Sequence, residues 1–175
     1  MVKLNFINFN LRITDMPYKK KKHHPKITHP KFEYSKITEN IIIGTNLCCL
    51  MHFNKELVKK GTSADVSLEA ERLDTPFGVK YYLWIPVNDH QAPTQEQLMV
   101  GVDFLDYLVS KKVKIFVHCK NGHGRAPTLV AAYLIATKDM KLDQAIRFIE
   151  KRRPAMHLER VQYDALRKFA KSSKS

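Results

Sequence analysis

The sequence predicts an α/β fold: a central, mainly parallel sheet flanked by helices. Three observations predict it. Short β-branched runs alternate with amphipathic helical stretches, and one such run, Val113 to His118, passes through a glycine-rich loop straight into a helix. The composition is globular, 44% hydrophobic and 27% charged over 175 residues, a length that suits one domain with tails.

The elements follow in order. Ile41 to Ile43, closed by Gly44, reads as a short buried strand, and the domain is expected to start near residue 33. Phe53 to Lys60 is expected to be helical, stopping at Gly61. Ala64 to Leu68 and Val79 to Ile85 read as strands separated by a loop holding Pro76 and Gly78. Thr94 and Gln97 have capping-box spacing, and Leu98, Val102, Leu105 and Val109 then share one helical face. After the Val113 to His118 strand, helices are expected over Pro127 to Met140, Leu142 to Lys151 and Leu158 to Lys171, with Pro154 separating the last two. Such alternation places a ligand site at the carboxyl ends of the strands, where His118 lies.

The net charge is +13, and residues 1–32 carry eight Lys or Arg against the single Asp15, a net +7. With Pro17, Pro25, Pro30 and four consecutive lysines, that segment is expected to be a flexible basic arm able to contact anionic lipid or nucleic acid. Residues 33–171 form the expected catalytic domain and 172–175 a tail. A nucleic-acid module would rest on the arm alone, since no zinc-finger or aromatic RNA-binding signature accompanies it. Three cysteines, two of them adjacent at Cys48 and Cys49, give no disulfide framework and no paired zinc-ligand spacing. That usage fits an intracellular, cytoplasmic setting. No apolar run approaches the ~20 residues of a membrane span.

Chemistry concentrates in His118-Cys119-Lys120-Asn121-Gly122-His123-Gly124-Arg125. Between a buried strand and a helix start, the glycines let backbone N–H groups converge on an anion, with the helix dipole and the Arg125 guanidinium adding to them. A free thiol has a pKa near ~8.5, and such a field lowers it, so Cys119 is expected to be a thiolate nucleophile. Lys120, Asn121, Gly122, His123, Gly124 and Arg125 are the candidate phosphate contacts. The bland alternative for Cys119, a small buried residue beside a glycine turn, leaves the surrounding glycines and arginine without a purpose.

His118, Cys119, Gly122 and Arg125 match HCxxGxxR, and the chain from Tyr34 to Lys171 resembles the dual-specificity branch of the protein tyrosine phosphatase superfamily. SKITENIIIGT is similar to the opening strand of those domains. The resemblance implies a phosphatase working through a phosphocysteine intermediate, with no metal and no cofactor. It implies a general acid from an upstream loop, and Asp89 in VNDHQAPT stands in a similar position; the alternative is that Asn88 and Asp89 only shape a turn. His90 is expected at the pocket rim. His118 is expected to support the loop by bonding nearby backbone.

Two positions depart from the family pattern: Gly124 precedes the arginine where serine is frequent, and Ala126 follows it where Ser or Thr is usual. In the family that second hydroxyl helps the sulfur leave, so Ala126 is expected to slow breakdown of the intermediate. The loop also looks like that of tensin-type phosphoinositide phosphatases and laforin, and RPAMHLERVQYDALRKF looks like the mitochondrial phosphatidylglycerophosphate phosphatase branch. A phosphorylated protein is the leading substrate expectation. A phosphoinositide, a phospholipid or an RNA 5′-end are the alternatives, as are a pseudophosphatase that binds without turnover and a rhodanese-like sulfur transferase.

Overall fold

The computed structural model describes residues 32–49 and 52–172, so the basic arm, apart from Phe32, and residues 173–175 lie outside the described residues. Five strands form one sheet in the order β1-β2-β5-β3-β4: β1 (Tyr34–Lys36), β2 (Ile41–Gly44), β3 (Thr62–Glu69), β4 (Tyr81–Val87) and β5 (Lys114–His118). Only the β1–β2 pair is antiparallel, and the other three pairings are parallel. The expected mainly parallel sheet is therefore present. Pro86 is accommodated because β4 lies at the sheet edge, where a missing N–H leaves no ladder partner unsatisfied.

The helices are α1 (Lys55–Lys59), α2 (Gln95–Ser110), α3 (Arg125–Thr137), α4 (Leu142–Glu150) and α5 (Arg160–Ser172). The capping box before α2 is formed in both directions between Thr94 and Gln97. The first helix is shorter than its sequence implies. The Asn54 side chain caps it by accepting from Glu56 and Leu57 N–H, while Phe53 is drawn out of the helix into an apolar cluster with its N–H on the Phe77 carbonyl. The helix expected from Pro127 begins two residues earlier at Arg125, so Pro127 occupies its first turn, where no N–H is needed.

Side-chain alternation divides the interior into two layers. Ile41, Ile43, Val66, Ile115 and Val117 face the main core, formed with α2 to α5, and α3 is buried on every side within it. Ile42 and Phe116 face the opposite side, where Cys48, Cys49, Phe53 and Leu57 complete a smaller cluster and Phe32 packs 6.2 Å from Phe116, centroid to centroid. Gly44 is required at this junction, because a Cβ there would stand 2.4 Å from the Phe116 ring.

Candidate active site

The loop from Cys119 to Gly124 joins β5 to α3, and protein donors turn its carbonyls outward. Asn46 N–H donates to Lys120 O, Arg153 donates to Asn121 O at 2.8 Å and to Gly122 O at 2.6 Å, and His157 N–H donates to His123 O. Thr128 donates to Gly124 O from its backbone N–H and from its hydroxyl, both at 2.9 Å. Among the described residues no protein acceptor takes the N–H groups of Asn121 to Gly124. The loop is thus a ring of inward amides, the geometry of an anion cradle. Gly122 is required within it: its φ is +64°, and a Cβ would meet Gly44 O at 2.4 Å.

Arg125 is buried, and its guanidinium is held from two sides. Nη1 donates to Val87 O at 2.6 Å and to Glu71 Oε2 at 2.8 Å, while Nη2 donates to Asp89 Oδ1 at 3.0 Å. Glu71 also accepts the Asp89 N–H at 2.7 Å, tying the candidate acid's loop to the arginine. Partial burial is the largest single influence and raises the Glu71 pKa, but the Arg125 hydrogen bond, the backbone N–H groups of Glu71 and Asp89 and the Arg125 charge together outweigh it and hold the carboxyl below the ordinary glutamate range. The depressed folded value means the pair stabilises the fold above the ordinary glutamate pKa, and that contribution fades as pH falls through the depressed one.

Glu71→Gln is expected to cost about fivefold in kcat/KM on an aryl phosphate. A charge-assisted bond is worth about 1.5–3 kcal/mol, discounted to roughly 1 kcal/mol because the Glu71 side chain is 38% exposed. Inhibition by a phosphate mimic is expected to weaken by a similar factor, while a general loss of fold would instead lower the concentration of active sites.

Asp89 and Cys119 line one cavity of about 160 Å³, together with Arg125, Asn121, His123 and Gly124. Residues thirty apart in the chain are therefore brought to a single pocket, sized for a phosphate group rather than a large ligand. His90 lines the rim as expected, held in the left-handed region at φ 61° with Nδ1 3.0 Å from Glu159. Gln162, buried at the same wall, donates to Gln91 O, so the start of α5 clamps the acid loop at two points. Gln162 also accounts for Gly124, since a Cβ at 124 would stand 2.6 Å from its Oε1.

Two expectations are corrected. Lys120 is exposed and does not line the cavity, where it was expected among the phosphate contacts. His118 does not bond backbone: its Nε2 faces Cys49 Sγ and Asp65 Oδ1, each at 3.5 Å, and Asp74 Oδ2 at 3.6 Å. Burial works against a charged ring, but Asp65 and Cys49 outweigh it and raise the His118 pKa well above the usual histidine range. His123, at the cavity, is shifted the other way by burial and by Arg153 and His157.

Glu71, Arg153 and Gln162 were not singled out in the sequence. Charged and amide side chains outside a motif read there as solvated, and only the packing of α5 and of the Glu69 to Asp74 segment turns them inward.

The family described as Dual specificity phosphatase, catalytic domain, matches residues 52–172. The chain belongs to this family. Human phosphatidylglycerophosphatase and protein-tyrosine phosphatase 1 is 30% identical over 149 residues, covering 79% of this chain and 73% of that protein. Human dual specificity protein phosphatase 5 is 40% identical over 74 residues, 42% of this chain but 19% of that protein, so the chain spans about a fifth of that relative's length. Among solved structures, PTPMT1 in complex with PI(5)P superposes with a TM-score of 0.68 at 24% identity, covering 81% of this chain and 96% of that one. Human DUSP28 gives 0.73 at 17% identity, with 80% and 97% coverage. The sheet and helices are those of dual-specificity phosphatases. No helix among the described residues is long and apolar enough to cross a membrane.

Proposed function

We propose that the protein hydrolyses phosphate monoesters through a phosphocysteine at Cys119. The observation that carries this reading is the convergence of Cys119, Arg125 and Asp89 on one small cavity walled by free loop amides. A bound phosphate would lie against those amides and compete with Asp89 for Arg125 Nη2. Cys119 Sγ attacks phosphorus, the P–O ester bond breaks, and Asp89 gives its proton to the departing oxygen. Water then attacks phosphorus, the S–P bond breaks, and Asp89 recovers a proton from the water as inorganic phosphate leaves.

A phosphorylated protein is the substrate class we favour, consistent with the dual-specificity relatives. A phospholipid is the second reading, supported by the similarity to phosphatidylglycerophosphatase and protein-tyrosine phosphatase 1 along most of both chains. The deciding experiment is one panel of phosphopeptides, phosphatidylglycerophosphate, phosphoinositides and RNA 5′-triphosphate. Phosphopeptides are expected to give the highest kcat/KM, and a lipid or RNA leading by tenfold would overturn the assignment. No turnover of any member, with phosphate-mimic binding intact, would indicate a pseudophosphatase.

Ala126 is fully buried in the main core, and the Thr128 hydroxyl already donates to Gly124 O. The sulfur therefore lacks the hydroxyl that the family usually supplies. Rapid mixing with an activated aryl phosphate is expected to show a burst of phenol approaching one per site, followed by a slower steady rate. Ala126→Ser is expected to shrink the burst and raise the steady rate about tenfold or more. An absent burst in the wild type, or both phases unchanged in a correctly folded Ala126→Ser, would reject a slow second step.

A further inference from the structure

On the face of the sheet opposite α3, period-two alternation along β3 and β5 gathers groups that the phosphatase reaction does not use. Asp65 pairs in register with Phe116, and Ser67 with His118, so the Asp65 and His118 side chains share the layer of Cys48 and Cys49. One donor atom from each of Cys48, Cys49, Asp65 and His118 lies within 4.8 Å of the other three, and all four residues are buried. Asp65 is 0% exposed, yet neither of its carboxylate oxygens has a hydrogen bond. A carboxylate so placed is costly unless a cation or a proton meets it.

The neighbouring acids are already satisfied. Asn46 donates to both oxygens of Glu69, at 3.0 and 2.8 Å, while Ser67 and Arg72 donate to Asp74. Asp65 has neither an amide nor a hydroxyl donor, and meets only the His118 imidazole, at 3.5 Å, beside two thiols. Its contact with His118 Nε2 is 3.5 Å, and that of Cys49 Sγ with the same nitrogen is also 3.5 Å. The Asp65 separation is long for an N–H···O bond, the sulfur separation is that of an ordinary S···N hydrogen bond, and both also suit two donors on one ion. Zinc bond lengths of about 2.0–2.3 Å in a tetrahedron place neighbouring N and O or N and S donors about 3.4–3.6 Å apart.

We propose that Cys48, Cys49, Asp65 and His118 form a structural site for a thiophilic divalent cation of the zinc class, distinct from the catalytic cavity. Coordination forms two metal–thiolate bonds, one metal–imidazole bond at Nε2 and one metal–carboxylate bond, releasing the thiol protons and any Nε2 proton. The longest donor separations close by about 1 Å to reach tetrahedral lengths. The site ties the segment after β2 to β3 and β5. It also fixes the His118 ring immediately before the nucleophile, as a ligand set with four closed positions does in structural zinc sites. The adjacent cysteines carry no zinc spacing along the chain, because the other two ligands come from separate strands.

The full chain, purified under a thiol-sparing reductant, is expected to contain about one zinc per molecule by elemental analysis. Stripped of metal and titrated with Co²⁺, the wild type is expected to show thiolate-to-cobalt charge transfer and intense tetrahedral visible bands. Cys119→Ser is expected to keep both, which separates this site from the catalytic thiol. Folded Cys49→Ser and Asp65→Asn are expected to bind Co²⁺ at least about tenfold more weakly. Zn²⁺ is expected to raise the Tm of the stripped wild type, and chelator to reverse the shift. The proposal is overturned if the wild type shows neither the bands nor the Tm shift, if the bands vanish in Cys119→Ser, or if folded Cys49→Ser and Asp65→Asn keep wild-type affinity. Should those two variants not fold, the cobalt spectra and Tm shifts of the wild type and Cys119→Ser decide it.

Discussion

Cys119→Ser is expected to lower turnover of an aryl phosphate by on the order of 10⁴-fold or more while preserving the binding of tungstate as a phosphate mimic. The two effects separate because nucleophile and cradle are different parts. The proposed anion contacts are the amides of Asn121 to Gly124 and Arg125, none of which the substitution touches. Cys119 is only 3% exposed, and the nearly isosteric hydroxyl leaves the loop packed as it was. A hydroxyl is far less nucleophilic than a thiolate. Steady-state rates and tungstate calorimetry check the pair. Substantial residual turnover would remove Cys119 from the chemistry, and loss of tungstate binding with the fold intact would show that the sulfur helps to build the cradle.

Asp89→Asn is expected to lower kcat/KM, which reports formation of the phosphocysteine alone, by about 10²–10³-fold for substrates with poor leaving groups, such as alkyl phosphates, and far less for activated phenols. The leaving-group dependence is the diagnostic, because only an oxygen that departs as a strong base needs the proton. The geometry makes the substitution clean. The amide side chain of the variant retains an oxygen to accept from Arg125 Nη2, and the backbone N–H at this position still donates to Glu71, so the guanidinium stays oriented while the transferable proton is lost. A plot of log kcat/KM against leaving-group pKa is expected to steepen. Equal slowing of both substrate classes, or none, would move the acid role to His90, which reaches the same cavity from the rim.

Much of the reaction centre was legible because it is local in the chain. HCxxGxxR encodes its own geometry: a strand end, glycines permitting the wrap, and an arginine opening the next helix. Asp89 was legible through its position in the VNDHQAPT loop, and the capping box before α2 through a three-residue spacing. The shortened first helix was not, because the burial of Phe53 against Phe116 outweighs its propensity to continue the helix, and that partner lies on a strand more than sixty residues away.

By itself, then, the sequence determined the fold class and pointed to the candidate nucleophile, the candidate anion loop and the candidate acid, all carried by short-range pattern. Tertiary structure decided which polar side chains are buried and against what. Glu71 holds Arg125, Arg153 fastens the outer side of the loop, Gln162 occupies the space that a larger residue than Gly124 would need, and Asp65 meets His118 and the paired cysteines. The physical reason is that the desolvation of a charge depends on packing between distant elements. A glutamate, an arginine and an aspartate look alike along the chain whether water or protein surrounds them.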